Sequence, residues 1–311
     1  MIPTEGGLAM STYTFDSILS ASQRVNWRIE DVLPPTARLD FSKPFLPESL
    51  ARTQGLAFLS RDERRTLNQI RGHGYLVMFG VVEEFILPFV IDHARTRLAG
   101  DDPRVRALLQ FAGEEAKHID LFKRFRAMFE SSFGHHCEVI GPPEAIAKAV
   151  LAHDPLAVAL TTLHIEWFTQ RHYVDSVKDD QGLDPLFKSL LHNHWLEEAQ
   201  HTKIDTLMIE ALAAAAGADG VRRGVDGYLD IGAFLDGGLR QQAELDLATF
   251  ERVARRNLGD DQRAAFLEEQ LRGLRWTFLG SGMTHPNFLE TLGRLDAGQR
   301  RRVEEVSKAF S

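Results

Sequence analysis

The sequence predicts an all-α protein, a four-helix bundle followed by additional C-terminal helices. Three observations lead there. Strand-type alternation of apolar and polar residues is nearly absent from the 311 positions. Helix-start signals recur at spacings that suit long helices: Ser60 with Glu63, and Asp followed by Pro at Asp102-Pro103, Asp154-Pro155 and Asp184-Pro185. Nearly the same phrase is written twice, EEAKH at 114–118 and EEAQH at 197–201, as though two similar halves were joined.

Taken in order, residues 1–59 read as an N-terminal arm, extended and broken by Pro-rich turns such as LPPTARLDFSKPFLPESL. The capping box at Ser60 opens a first long helix over 61–98, with Gly100 after its end. A second runs over 103–131 and stops before Gly134, and a shorter one is expected near 143–152. The third and fourth long helices span 155–178 and 185–215, followed by Gly182 and Gly217. Two tightly joined helix pairs linked by a longer crossover is the plan of a ferritin-like bundle, placed here at 60–217. Beyond it, helices at 225–257, 261–279, 286–294 and 297–310 make up a segment, 218–311, that packs on the bundle within a single domain.

Composition narrows the function. With 36 Lys and Arg against 44 Asp and Glu, the net charge is −8, and no basic run offers a nucleic acid a binding surface. Cys137 is the single cysteine, which rules out an intrachain disulfide and suits a reducing cytoplasm, where it is expected as a buried thiol. The first residues lack the pattern of a secretory signal, and Met10 is an alternative start. The apolar run YLVMFGVVEEFILPFVI carries two glutamates at its centre, so it reads as a core helix rather than a membrane span.

Those two glutamates connect to the repeated phrase. About one Glu-x-x-His is expected by chance in a chain of this composition. Two occur, each preceded by another Glu and each in the second helix of a pair. Helical spacing puts Glu115 and His118 on one face with Leu108, Phe111, Phe122 and Phe125, so the polar groups head into the core. Glu198 and His201 share a face with His194 and Asp205. Buried ionisable groups cost several kcal/mol apiece unless paired or bound to metal. A dimetal bundle takes one Glu from each of two helices and Glu-x-x-His from the other two. The third helix offers Glu166 ahead of Glu198. The first offers Glu83, at the same separation ahead of Glu115, or its neighbour Glu84, one position closer. On a helical wheel Asn68, Arg71, His93 and Arg97 cluster on one side, with Glu84 nearly opposite beside Gly80, Leu87 and Ile91. That phase predicts Glu84 as the ligand and Glu83 as an interhelical or hydrogen-bonding partner. The predicted metal-binding set is thus Glu84, Glu115, His118, Glu166, Glu198 and His201. Carboxylates with imidazoles and no thiolate suit two iron ions, or a manganese and an iron.

Over about 60–215 these residues resemble the ferritin-like diiron-carboxylate superfamily. His194, one turn before Glu198, makes H-x-x-x-E-x-x-H, which is similar to the p-aminobenzoate N-oxygenase family of diiron oxygenases. The resemblance implies His194 as a seventh ligand and N-oxygenation of an amine. Metal-bound histidines usually donate their second N–H to a carboxylate. Glu114 is a candidate for that role toward His201, and Glu197 toward His118; surface ion pairs such as Glu114 with Lys117 are the alternative. Asp205 is a further candidate beside His201.

The function expected is therefore an oxygenase that uses dioxygen as cosubstrate at a buried dinuclear iron site to oxidise a small organic molecule. A reductase would supply its electrons, and a homodimer is the commonest assembly for such a chain. Ferroxidase duty leaves the residues after the bundle without a task. A radical-generating subunit wants a tyrosine near the metals, but Phe122 follows His118 by one turn and only Tyr173, two turns beyond Glu166, keeps that reading open. A helical scaffold with a vestigial metal site is the non-enzymatic alternative.

Overall fold

The computed structural model describes residues 12–96, 98–100 and 102–310; Met10 and Arg97 lie outside them. Among the described residues the chain is built from α-helices joined by short turns. The arm carries α1 (Phe15–Ser22), α2 (Ile29–Val32) and α3 (Glu48–Ala51). The bundle is built from α4 (Arg61–Arg95), α5 (Pro103–Phe133), α7 (Pro155–His172) and the first part of α8 (Pro185–Ala254), with α6 (Pro143–Leu151) in the crossover. The C-terminal helices are α9 (Asp260–Arg275), α10 (Ser281–Met283), α11 (Pro286–Leu295) and α12 (Ala297–Ser307). No strand is assigned among the described residues, and the helix order is that of a ferritin-like bundle.

The caps act as their sequences imply. Ser60 Oγ accepts from Glu63 N at 3.2 Å while Glu63 Oε2 accepts from Ser60 N at 2.7 Å, satisfying donors that the first turn leaves free. Asp102, Asp154 and Asp184 accept from the backbone N–H groups of Arg104, Leu156 and Phe187. At the other end of α5, Gly134 takes φ +75°, a left-handed conformation that a side chain would resist. α4 is long and apolar enough by composition to cross a membrane, but most of that window is buried by the rest of the chain.

One expectation changes. The arm contains short helices where the sequence predicts an extended chain, and side chains from α4 hold the turns between α2 and α3. Asn68 Oδ1 accepts from Phe45 N at 2.7 Å and its Nδ2 donates to Leu46 O at 2.7 Å; Gln69 Nε2 donates to Phe41 O and Lys43 O. The fourth helix ends at Gly217 as the sequence predicts: φ +67° and ψ −177° there are non-helical, and a second helical stretch, the second part of α8, runs from the break to Ala254. The glycines beyond the break serve close packing: a Cβ at Gly224 would stand 2.7 Å from the Leu156 side chain, so the second part of α8 lies directly on the start of α7. Elsewhere the helix ends fall close to their predicted positions, the third helix reaching Val177 through a π-turn at Tyr173–Val177.

Candidate metal centre

Four helices deliver acidic and imidazole side chains into the middle of an aromatic core. α5 contributes Glu115 and His118, set among Phe111, Phe122 and Phe125, all buried. α7 contributes Glu166, α8 contributes His194, Glu198 and His201, and α4 contributes Glu83. None of these side chains is more than 3 % exposed.

They form two groups whose donor atoms lie within 4.8 Å of one another: Glu83, His118, His194 and Glu198, and Glu115, Glu166, Glu198 and His201. Glu198 belongs to both. Its Oε1 is 2.6 Å from His194 Nε2 and 3.2 Å from His118 Nδ1, while Oε2 is 2.7 Å from His201 Nδ1. His194 Nε2 is also 3.0 Å from Glu83 Oε1, and His201 Nδ1 is 2.9 Å from Glu115 Oε1.

The helical wheel selects the wrong glutamate. Glu84 has a side chain 29 % exposed, 3.6 Å from Lys123 Nζ on the flank of the bundle, and it joins neither group. Two of the polar residues that define the solvent side of that wheel, Asn68 and Arg71, are buried. Asn68 caps the arm, and Arg71 lies 3.5 Å from Asp246 of α8. Gly80, Glu84, Leu87 and Ile91 are instead the least covered stripe of the middle of α4. Replacing Glu83 with alanine should therefore abolish metal binding at one position, and replacing Glu84 should leave it intact. Elemental analysis of the two purified variants distinguishes these outcomes.

Around the donors stands a crossed set of carboxylates. His118 Nε2 is 2.8 Å from Glu197 Oε2, and His201 Nε2 is 2.9 Å from Glu114 Oε2, each carboxylate coming from the opposite helix pair. With Nε2–H donating outward, Nδ1 of both rings faces the glutamates with its lone pair. Lys117 pairs with Glu197, at 2.5 Å, and not with Glu114. Asp205 is fully buried, but neither of its oxygens has a hydrogen-bond partner, and His201 spends its outer nitrogen on Glu114. Tyr173 is absent from both groups; its hydroxyl bonds His192 Nδ1 at 2.6 Å. Cys137 is buried, which pushes its thiol up to about 12 and keeps it protonated and inert.

Protein partners alone leave this cluster in deficit. Oε2 of Glu115, Oε2 of Glu83 and Oε2 of Glu166 are buried with no hydrogen-bond partner. Such orphaned acceptors are costly in a core and are what a pair of cations would satisfy. Titration behaviour shows the same strain. Burial, with the charge of Glu115 next to it, pushes Glu83 up to about 8. Burial and the charge of Glu198 push Glu166 well above the carboxylate range. Burial would lower His118 and His201, but the surrounding carboxylates overcome it and hold both well above an ordinary imidazole. Without cations, protons do the neutralising.

A pH dependence follows. Glu83, His118 and His201 all have folded pKa values above their unfolded ones, whereas burial lowers His73, His164, His172 and His285 and so opposes them below the ordinary imidazole range; the metal-free fold therefore binds more protons than the unfolded chain between about pH 7 and 8. Metal-free protein should lose thermal stability as pH rises through that window. Metal-loaded protein should not, because cations replace the protons. Melting curves of both forms at near-neutral and mildly alkaline pH test this; a metal-free melting point that rises between them contradicts it.

Beside the centre lies an apolar cavity of about 30 Å³ whose lining includes Met78, Val82, Ile165, Phe168, Tyr228 and Met283. Val82 and Ile165 immediately precede Glu83 and Glu166, so the cavity adjoins the flanks of the turns of α4 and α7 that carry those two glutamates. Tyr228, Phe278 and Met283, from the second part of α8 and the C-terminal segment, form its outer wall.

No family model matches the chain, and no curated protein matches it. Among solved structures, a variant of an R2-like ligand-binding oxidase with an anaerobically reconstituted Mn/Fe cofactor is 16% identical, covering 85% of this chain and 93% of that one, with a TM-score of 0.46. An R2-like ligand-binding oxidase with an aerobically reconstituted Mn/Fe cofactor is 13% identical over 85% and 92% of the two chains, TM-score 0.42. A further variant with an Fe/Fe cofactor is 14% identical over 86% and 93%, TM-score 0.41. Similarities at this level carry no activity across, and the chemistry rests on the residues of this site.

Proposed function

We propose that this protein is a dinuclear-iron oxygenase that oxidises a small organic substrate with dioxygen, and that the substrate is an amine. The observation that supports it most is Glu198, shared by two buried four-donor groups that otherwise have separate residues. Carboxylate and imidazole donors without thiolate suit two iron ions, or manganese with iron. Glu83, His118, His194 and Glu198 would hold one, and Glu115, Glu166, Glu198 and His201 the other. The metal pair, when bound and reduced by an electron-donating partner, supplies the electrons with which dioxygen is activated.

The chain's own contribution is placement and exclusion of water. Glu114 and Glu197 accept the outer N–H groups of His201 and His118, which fixes the tautomers and aims Nδ1 inward. Phe79 and Phe122 pack edge-on against His194 at 5.1 and 5.0 Å, which locks its ring. The third imidazole, His194, supports the amine reading through the similarity to p-aminobenzoate N-oxygenases, since an extra neutral donor enriches the centre in electrons and suits attack on nitrogen better than on strong C–H bonds. The apolar cavity beside Val82 and Ile165 is the substrate side; Met78 and Met283 are flexible walls that an aromatic amine can displace.

The test has two stages. Elemental analysis of protein from iron-supplemented cells should give two ions per chain; zero or one at saturation refutes the dinuclear reading. Chemically reduced protein mixed with dioxygen and a panel of arylamines should then consume oxygen and yield products heavier by one oxygen atom. Oxygen consumed with no nitrogen oxidised, and a hydroxylated or desaturated product instead, refutes the amine and leaves the oxygenase.

A further inference from the structure

The two halves of the centre look alike in sequence but differ in charge. In one group two imidazoles, His118 and His194, face Glu83 and the shared Glu198; in the other a single imidazole, His201, faces Glu115, Glu166 and Glu198. The surroundings deepen this difference. Glu197, behind His118, is bound by the Lys117 ammonium, which also donates to Trp27 O at 3.1 Å and sits 3.9 Å over the Trp27 ring. Glu114, behind His201, is held only by neutral donors besides that imidazole, Ser22 Oγ at 2.5 Å and Gln110 Nε2 at 2.9 Å. One outer carboxylate is therefore cancelled by a cation and the other is not. Trp27 and Ser22 both belong to the N-terminal arm, which thus holds Glu114 directly and Glu197 through Lys117.

We propose that Lys117 sets the two metal positions apart, so that the Glu115–Glu166–His201 position fills first and takes a hard divalent cation, while the Glu83–His118–His194 position fills second and selects an ion that favours imidazole. This deepens the dinuclear reading and rests on it. Coulomb attraction favours the position with more carboxylates and no opposing cation. Oxygen donors suit manganese, whereas paired imidazoles suit iron or zinc. Lys117 is a positioning residue: it acts on the metal through Glu197 and His118 and touches no donor atom directly.

Metal titration of the full metal-free chain tests this without any turnover. Mn(II), counted by its free-ion magnetic resonance signal, should bind tightly at one ion per chain. Co(II), followed by its visible bands, should bind at two, in separate steps. Glu166→Ala should remove the tighter cobalt step and His194→Ala the weaker one. Lys117→Met should tighten the weaker step and shrink the gap between steps by about tenfold, the scale on which one charge acts across a protein interior, while Lys117→Arg should preserve the gap. An unchanged gap in Lys117→Met, or loss of the tighter step in His194→Ala, overturns the proposal. Should Lys117→Met not fold, two tight manganese ions in the unaltered protein overturn it equally, and one sustains it. Cobalt binding at fewer than two ions refutes the dinuclear reading instead, so the two failures are distinguishable.

Discussion

Alanine in place of Glu198 should empty both metal positions at once. Its two oxygens point into different groups, toward His118 and His194 on one side and His201 on the other. The loss in affinity should exceed the roughly 10–100-fold that follows removal of an outer hydrogen-bond partner, because a donor common to both ions disappears. Elemental analysis of Glu198→Ala should find bound metal near zero, and a thermal scan should show a melting point like that of the stripped wild-type protein. Retention of two ions would show that Glu198 is not shared. By contrast His194→Ala should spare the group to which His194 does not belong, retaining one ion.

The largest effect on stability is expected far from the metals. Arg71 of α4 and Asp246 of α8 form an ion pair in which neither side chain is more than 3 % exposed, with Gln242 Nε2 donating to Asp246 Oδ1 at 2.8 Å. Burial raises Asp246 to about 6 against the pull of Arg71, so the pair is held at a cost. Asp246→Ala leaves a guanidinium buried without its counter-charge, and such losses amount to about 3–5 kcal/mol. Urea unfolding should show that loss with metal content unchanged. The double variant Arg71→Met, Asp246→Leu should recover most of it, since an apolar pair of similar volume needs no solvation. A double variant as unstable as Asp246→Ala would mean that the pair itself, rather than the stranded charge, holds α8 on α4.

The same ion pair explains why the helical wheel misreads α4. A wheel built on Asn68 and Arg71 assumes that polar residues face water, and both face protein: one binds the arm, the other α8. Both partners lie outside the repeated helix pairs, at residues 45–46 of the arm and at Asp246 beyond Gly217. A purely sequential signal does favour the residue that the structure selects, because Glu83 precedes Glu115 by the same separation as Glu166 precedes Glu198. The internal symmetry is the better guide, since it reflects two helix pairs of matched length, while the wheel depends on what covers each face.

Local chemistry settles what is local. Capping residues, helix pairs, the two Glu-x-x-His turns and their inward direction all follow from contacts within a helical turn, and these are written into the chain order. The crossed pairing of Glu114 with His201 and Glu197 with His118 can be anticipated too, because each outer nitrogen needs an acceptor and the preceding glutamate lies on the facing helix. What only the tertiary structure decided depends on groups distant in sequence: that Glu83 and not Glu84 reaches the centre, that the helical stretch after Gly217 packs on the start of α7, that the arm places Ser22 and Trp27 over the site, and that Lys117 neutralises Glu197 alone. In each case burial, and not the residue's own character, determines which way a side chain faces. Burial is a property of the whole packing.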